Sequence, residues 1–205
     1  MYGEAGHIFL ARLGKTTLRP GGIDATAWLI EQANIKSDTK ILEVACNMGR
    51  TMIQLSKKFG CKITGVDLDK DALKKAEANI KKNHLEDKLT LIHGDALALP
   101  FEDASFDIVI NEAMLTMLIG DKKDKALKEY FRVLKPGGLL LTHDVALRTS
   151  DPAAQKELRS ALSKAINVSV EPLDAAGWEA LFRKNGFTVT QKCGDMTLMS
   201  PRGMI

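Results

Sequence analysis

The sequence lacks the long apolar run that a membrane-spanning helix requires. Its longest apolar segments, such as residues 139–141, are interrupted within a few residues, whereas crossing a bilayer takes about 20. The N-terminus carries Glu4, His7 and Arg12 where a signal peptide would need an uninterrupted apolar stretch. We therefore predict neither a membrane span nor a secretory leader.

Cysteine is also scarce, and its placement excludes two kinds of site. Cys46, Cys61 and Cys193 are odd in number, far apart, and form no C-x-x-C motif. A disulfide framework and a cysteine-rich zinc site are therefore excluded. The histidines show no ligand spacing, so we expect no metal. A reducing, cytoplasmic setting is the simplest interpretation.

Neither sign of charge dominates the chain. The net charge is +3, from 29 Lys and Arg against 26 Asp and Glu, and this slight excess does not by itself favour nucleic acid as a partner. Hydrophobic residues make up 45% and charged residues 27%, which excludes global disorder. A chain of 205 residues is long enough for one sizeable core and short for two.

From about residue 40 onward, strand-like and helix-like segments alternate along the chain. Continuous apolar strands separated by amphipathic helices predict a parallel sheet covered on both faces. Right-handed crossovers then give a doubly wound, Rossmann-like α/β fold. Counting two candidates near the C-terminus, we predict a mostly parallel, seven-stranded sheet. The candidate strands are 40–45, 62–66, 89–92, 106–110, 139–142, 187–192 and 197–200.

The chain contains no repeat and no low-complexity linker, so we predict a single domain over residues 1–205. Two segments fall outside the strand–helix alternation: the part before the first strand and the long connection after the fifth. The predicted parts are an N-terminal lid and helix (1–35), a cofactor-binding core (40–143), an insertion (144–172), and a C-terminal helix with strands (173–205).

Small and acidic residues mark the ends of the predicted strands, and ligands of such sheets bind beyond the carboxyl ends. The first strand leads into a turn of small residues before a helix, where backbone can approach a ligand closely. Asp67 ends the second strand, 24 residues after Glu43, near the ~20-residue spacing of an acid that accepts ribose hydroxyls. Asp95 follows the third strand and could read an adenine amino group. The pattern predicts an adenosine-containing cofactor across these strands.

Four segments carry a family resemblance: ILEVACNMG, GVDLD, GDALALPFEDASFDIVI and FRVLKPGG. In this order and spacing, the chain resembles the class I S-adenosylmethionine-dependent methyltransferases over residues 40–200. It looks closest to the small-molecule branch that includes the quinone-biosynthesis C-methyltransferases. The resemblance implies S-adenosyl-L-methionine as cofactor and methyl transfer as the activity.

The resemblance also implies roles for individual cofactor-binding residues. Glu43 matches the acid that opens the first motif, and Asp67 matches the ribose acid. Ala45 and Asn47 replace two of the three motif glycines, so the shape of the loop is an open question. Asparagine tolerates a positive φ better than most residues. The remaining matches are Ala45, Asn47 and Gly49 at the glycine positions, Leu68 against adenine, Asp95 and Ala96 at the adenine edge, and Asn111 near the methionine amino group.

Residues after the fourth and fifth strands are the candidates for the acceptor site. They are Glu112, Met114 and His143, and no catalytic residue is assigned. His143 and Asp144 could be a base and the residue that orients it, or simply a polar strand end. We expect the acceptor pocket to be built from residues 1–22, 112–118 and 144–172.

The sequence therefore predicts a methyltransferase that acts on a small molecule, chiefly through alignment of the acceptor with the activated methyl group. The stretch Asn111-Glu112-Ala113-Met114 replaces the Asn/Asp-Pro-Pro-Tyr signature of enzymes that methylate the amino groups of bases or glutamine, and nucleic acid is not expected as a partner. The alternatives are an RNA or protein methyltransferase, a non-catalytic S-adenosylmethionine-binding protein and, third, a nicotinamide enzyme. The acceptor and the oligomeric state stay open.

Overall fold

The structure is a computed structural model and describes residues 22–194. Strands and helices alternate over most of this range. The strands are β1 (Lys40–Val44), β2 (Lys62–Asp67), β3 (Leu89–His93), β4 (Phe106–Glu112), β5 (Leu134–His143), β6 (Ala146–Leu147) and β7 (Leu173–Asp174). The helices are α1 (Gly22–Glu31), α2 (Arg50–Phe59), α3 (Lys70–Lys82), α4 (Lys122–Val133), α5 (Pro152–Ile166) and α6 (Ala175–Lys184), with a 3₁₀ turn at Leu115–Met117.

The main sheet has the order β3-β2-β1-β4-β5, and every neighbouring pair is parallel. The chain winds outward from β1 to β3, returns, and winds the other way through β4 and β5. The winding direction reverses between β1 and β4, which is the position where open α/β sheets bind ligands. The predicted parallel, doubly wound fold is confirmed.

The prediction of seven strands in one sheet is wrong for the part of the chain that the structure describes. Five strands form the main sheet, while β6 and β7 form a separate parallel pair. Residues 187–192 adopt no strand, and residues 197–200 lie outside the described range. The backbone N–H of Phe187 bonds to Phe182 at the end of α6, and the Phe187 ring packs edge-on against Phe131. This segment is therefore held by α6 and α4, without ladder bonds to β5.

The start of β5 also differs from the sequence prediction. The sequence predicts this strand over residues 139–142, but β5 already begins at Leu134 and includes Pro136-Gly137-Gly138. Its register against β4 shifts between Phe106 and Ile108, and Gly137 takes a φ of 77°. Glycine at this position supplies the backbone conformation that lets the irregular strand start continue pairing.

Two apolar layers cover the sheet. On one face, α1, α2 and α3 pack on side chains such as Ile41, Ile63 and Ile108. On the other face, α4 and α6 pack on side chains such as Leu42 and Val109. Successive residues of a strand point to opposite faces, which is why Ile41 and Leu42 belong to different layers. Among residues 22–194, no helix is long and apolar enough to cross a membrane.

Candidate active site

The loop between β1 and α2 keeps a glycine-type backbone although two of its three glycine positions hold other residues. Ala45, Asn47 and Gly49 have φ values of 59°, 48° and 73°, all in the left-handed region that L-residues rarely occupy. Ala45 and Asn47 therefore have the backbone torsions that glycine would adopt at these positions. They leave a loop that carries strain at Ala45 and, to a lesser degree, at Asn47.

The same loop is tied to its neighbours by hydrogen bonds and by close packing. Asn79 of α3 donates a side-chain hydrogen bond to the carbonyl of Met48 at 3.0 Å. At Gly65 of β2, an added Cβ would lie 2.5 Å from the Met52 sulfur and 2.8 Å from the Cys46 sulfur. A side chain at position 65 would have to displace Met52 and Cys46, so glycine suits this position, where α2 and the loop pack directly on the strand.

Asp67 connects the end of β2 to the β1–α2 loop. Its Oδ2 accepts a hydrogen bond from the backbone N–H of Asn47 at 2.8 Å, and its Oδ1 accepts one from Asp69 at 2.9 Å. Each carboxylate oxygen retains a second lone pair for a further donor. The next side chain, Leu68, is 62% exposed, and its carbonyl lies 3.1 Å from His93 Nε2.

The end of β3 turns back beside Asp67. Gly94 donates its backbone N–H to the carbonyl of Asp67 at 3.1 Å. The Asp95 carboxylate accepts a hydrogen bond from the Leu97 N–H at 2.9 Å, and Ala96 is half-buried. Asp67, Leu68, Asp95 and Ala96 therefore lie at the adjacent carboxyl ends of β2 and β3, as the sequence predicts.

Asn111 and Glu43 lie on the central strands and are buried. Asn111 is fully buried and donates from Nδ2 to the Val44 carbonyl at 3.2 Å; its Oδ1 has no hydrogen-bond partner among residues 22–194. Glu43 is 7% exposed. Burial, followed by the charges of Glu43 and Asp67, raises the pKa of the Cys46 thiol well above its ordinary range. Cys46 is therefore a packing residue and not a nucleophile.

Glu112, Met114 and His143 meet at the ends of β4 and β5. Glu112 and His143 are register partners, and Glu112 Oε2 lies 3.4 Å from His143 Nδ1. Thr26 of α1, which the sequence analysis did not single out, donates a hydrogen bond to the same Oε2 at 2.7 Å. The only sequence signal for Thr26 was a polar residue within a predicted helix. Met114 is half-buried and packs against the second apolar layer.

Asp144 does not orient His143, so that hypothesis is wrong. Its carboxylate accepts hydrogen bonds from the backbone N–H groups of Leu115 at 3.2 Å and Thr116 at 2.9 Å. Burial raises the pKa of Asp144 to about 6, despite those stabilising bonds. Asp144 instead fixes the 3₁₀ turn after β4, which follows Ala113 in a left-handed conformation with φ 57°.

The predicted pocket segments 112–118 and 144–172 come together beside this site. The backbone N–H of Glu171 bonds to the Thr116 carbonyl at 2.8 Å, and Glu171 Oε2 lies 3.1 Å from the Nζ of buried Lys123. The third predicted contributor, the N-terminal lid, lies outside the described residues except for Gly22. Within residues 22–194, no group of three or more His, Cys, Asp or Glu residues is placed to hold a metal ion.

A cavity of about 1330 Å³ runs along β5, between α1 and the segment 187–194. Trp28 lines it from α1 and Trp178 from α6, while His143 lies at the carboxyl end of the strand. Most of its length lies beside the sheet and not at the strand ends. His143 and Asp144 thus belong both to the strand-end site and to the lining of this cavity.

Methyltransferases are among the known proteins whose sequences are similar to this chain. A family model for a methyltransferase domain matches residues 41–138. An uncharacterized protein of Haemophilus influenzae is 58% identical over 203 residues, which cover 98% of this chain and 80% of that protein. A demethylmenaquinone methyltransferase of Staphylococcus aureus is 38% identical over 130 residues, which cover 60% of this chain. The chain spans only about half of that relative, 48% of its length.

A solved structure is similar over most of the described fold. It is a putative methyltransferase from Bacillus halodurans, with a TM-score of 0.74, 25% sequence identity, and coverage of 83% of this chain and 71% of that one. The matched family model spans β1 to β5, where the four strand-end motifs lie. The chain therefore belongs to the class I S-adenosylmethionine-dependent methyltransferases, with S-adenosyl-L-methionine as its cofactor.

Proposed function

We propose that the chain transfers the methyl group of S-adenosylmethionine to a small molecule, chiefly by aligning the acceptor. The observation that carries this proposal is the enclosure of the acceptor end. The side chains of Glu112 and His143 are only 5% and 15% exposed, and α1 contacts Glu112 through Thr26. A site of this kind admits a small molecule more readily than a folded RNA or protein surface.

The residues at the strand ends fit the cofactor that the family uses. The left-handed loop at Ala45, Asn47 and Gly49 brings backbone close to a ligand, and exposed Leu68 offers an apolar surface for a base. Asp67 retains lone pairs for ribose hydroxyls, and the buried Oδ1 of Asn111 suits an ammonium donor. The remaining predicted contacts are Glu43, Asp95 and Ala96. When bound, S-adenosylmethionine supplies a methyl group already activated by the positive sulfur.

The charge at the carboxyl edge of the sheet argues against a nucleic-acid acceptor. Each of the five main strands has an acid at or just beyond its end: Glu43, Asp67, Asp95, Glu112 and Asp144. Within residues 22–194, a phosphate backbone approaching this edge would meet carboxylates such as Asp67 and Asp95, which repel phosphate. The Staphylococcus aureus relative is named for a small molecule, demethylmenaquinone, which supports the same proposal.

The chain's own contribution is to hold the acceptor in line and to exclude water. The 3₁₀ turn held by Asp144, the half-buried Met114 and helix α1 supply rigid walls around Glu112 and His143. Holding two reactants in a productive orientation removes much of the entropic part of a barrier, up to about 7–11 kcal/mol. We therefore propose alignment by these walls as the main source of rate for an activated methyl group.

Calorimetry followed by a turnover assay tests the proposal. S-adenosylmethionine and S-adenosylhomocysteine should both bind, and NADH should not. Release of S-adenosylhomocysteine is then measured with a panel of small phenols, hydroquinones and amines, and separately with total tRNA and with a mixed protein lysate. Turnover confined to small acceptors supports the proposal. Turnover with RNA or protein alone contradicts it, and binding without any turnover favours the non-catalytic alternative.

A further inference from the structure

Arg132, in the last turn of α4, holds a loop that belongs to the predicted cofactor site. Its guanidinium donates from Nε and Nη2 to the two carboxylate oxygens of Glu129, both at 2.8 Å. Nη2 also donates to the Leu99 carbonyl at 3.0 Å, and Nη1 donates to the Phe101 carbonyl at 2.7 Å and to Asp103 Oδ1 at 2.9 Å. Every N–H group of the arginine is therefore directed at an acceptor.

Glu129 and Arg132, which we call the α4 clamp, hold both backbone polar groups of Leu99. Glu129 Oε2 accepts the Leu99 N–H at 2.7 Å, while Arg132 binds the Leu99 carbonyl. The Leu99 side chain is buried in the second apolar layer. Hydrogen bonds to ionised groups are stronger than those between neutral groups, so the α4 clamp leaves the loop little freedom to shift at this residue.

Leu99 directly follows the turn that begins with Asp95. The N–H of Ala98 bonds to the Asp95 carbonyl at 3.1 Å, and Asp95 Oδ1 accepts the backbone N–H two residues on at 2.9 Å. Before the turn, the N–H of Gly94 bonds to the carbonyl of the last residue of β2 at 3.1 Å. The turn 95–98 is therefore attached to the sheet at its start and to α4 at its end.

Building on the cofactor contacts proposed above, we infer that Arg132 and Glu129 set the base specificity of the cofactor site, as positioning residues that act through Asp95. The carboxylate of Asp95 accepts a hydrogen bond from the adenine amino group only at a suitable distance and angle. Hypoxanthine carries a carbonyl oxygen in place of that amino group, and this oxygen cannot donate to a carboxylate. The α4 clamp therefore favours an adenosine cofactor over its inosine analogue.

The ribose end of the predicted site is held by other elements. Asp67 accepts hydrogen bonds from the backbone N–H groups of Asn47 in the β1–α2 loop and of Asp69 before α3. Loss of the α4 clamp should therefore weaken recognition of the base and leave recognition of the ribose unchanged. General destabilisation of the site would instead affect both.

The geometry of arginine, and not only its charge, suits this position. Its planar fork reaches a carboxylate and two backbone carbonyls at once. Lysine keeps the positive charge but has a single ammonium group with three N–H donors. Arg132→Lys therefore separates the position of the loop from the charge beside it.

Calorimetry with S-adenosylhomocysteine, its inosine analogue and its 2′-deoxyribose analogue tests the inference. The parent should prefer S-adenosylhomocysteine over the inosine analogue by about 10–100-fold, as expected for one hydrogen bond to a charged group. Arg132→Lys and Arg132→Gln should each reduce this preference toward equal binding and keep the preference over the deoxyribose analogue. The matched control is Arg183→Lys, on α6, where Arg183 Nε lies 2.8 Å from Glu179. It should leave both preferences unchanged.

Hydrogen exchange of backbone amides gives a second readout that needs no ligand. The N–H groups of Leu97 and Leu99 bond to Asp95 and Glu129, and in Arg132→Lys they should exchange about 10-fold faster than in the parent. The N–H of Asn47, at the ribose end, should exchange at the parent rate. Glu129→Gln, which takes one carboxylate oxygen from the α4 clamp, serves in both experiments if the Arg132 variants do not fold.

The outcomes separate the inference from the proposed function. If the parent does not bind S-adenosylhomocysteine, the proposed function fails, and the inference fails with it. If the parent binds and Arg132→Lys keeps the preference for adenine, the inference alone fails, because the loop does not depend on the fork. A parent that binds the inosine analogue equally well also overturns the inference, because Asp95 then does not recognise the base.

Discussion

Ala45 shows how a single residue can depart from a motif without changing the backbone the motif requires. Its φ of 59° lies where a Cβ costs roughly 1–2 kcal/mol. The neighbouring Asn47 bears the same conformation more easily, because asparagine is enriched in this region. The fold tolerates the cost at Ala45 because the loop is held from both sides, by Asp67 and by Asn79.

Replacing Ala45 with glycine should therefore stabilise the protein. Relief of the left-handed strain outweighs the added entropy of the unfolded chain, about 0.4–1 kcal/mol, so we expect a net gain of up to about 1 kcal/mol in urea unfolding. The matched control is Ala161→Gly, an exposed position within α5, which should cost about 1 kcal/mol. Destabilisation of both variants by the same amount would show that Ala45 is not strained.

Asp67 should carry a large share of the cofactor affinity. Its carboxylate is proposed to accept ribose hydroxyls, and hydrogen bonds to charged groups contribute about 1.5–3 kcal/mol each. Asp67→Ala should weaken binding of S-adenosylhomocysteine by about 2–3 kcal/mol, measured by calorimetry. Part of this loss comes from the loop, since Asn47 loses its acceptor. Asp71→Ala, on the exposed first turn of α3, should leave this affinity unchanged. If Asp67→Ala binds S-adenosylhomocysteine as tightly as the parent does, the ribose binds elsewhere.

At the scale of elements, the 3₁₀ turn after β4 depends on a buried carboxyl group. The pKa of Asp144 is raised to about 6 by burial, from an ordinary 3.8. The folded state therefore holds this proton more tightly than the unfolded state does, and the associated stability is complete below pH 3.8 and lost as pH rises through 6. Glu129, whose pKa is lowered by its hydrogen bond from Arg132, acts in the opposite direction at lower pH.

The free energy of unfolding should therefore contain a component that falls between about pH 4 and pH 6. Its upper bound is about 3 kcal/mol, from 1.36 kcal/mol for each unit of the shift at Asp144. Asp144→Asn should remove this component and also destabilise the turn, because an amide cannot accept both backbone N–H groups through both of its end atoms. Asp71→Asn should retain it. Urea unfolding at several pH values measures the free energy of unfolding of both variants. If that of Asp144→Asn falls with pH as steeply as that of the parent, another group causes the effect.

At the scale of the whole molecule, the proposed cofactor site draws on four of the five main strands and on the loops that follow them. A ligand that spans these elements stabilises only the folded state. S-adenosylhomocysteine at 100 times its Kd should raise the free energy of unfolding by about 2.7 kcal/mol. At the same concentration the increment should shrink in Asp67→Ala and stay the same in Asp71→Ala. No increment in the parent would mean that the ligand binds folded and unfolded chains alike.

Local sequence patterns predicted the alternation of strands and helices over residues 40–143, the parallel sheet, and the positions of the candidate cofactor residues at the strand ends. Local patterns suffice there: apolar runs make buried strands, and an acid at a strand end must lie at the carboxyl edge of a parallel sheet. That is why Asp67, Leu68, Asp95 and Ala96 lie together as expected.

The length of the sheet and the contacts at its acceptor end depend on long-range packing. The alternating pattern of residues 187–192 is typical of a strand. Strand pairing, however, depends on contacts with residues that are distant in sequence, and here Phe187 packs on Phe131 instead. Glu112, on the neighbouring strand and 31 residues away in sequence, lies 3.4 Å from His143, whereas the adjacent Asp144 bonds to the 3₁₀ turn. Register partners on neighbouring strands share one face of the sheet, so contact at this site depends on strand register, which the sequence alone did not specify.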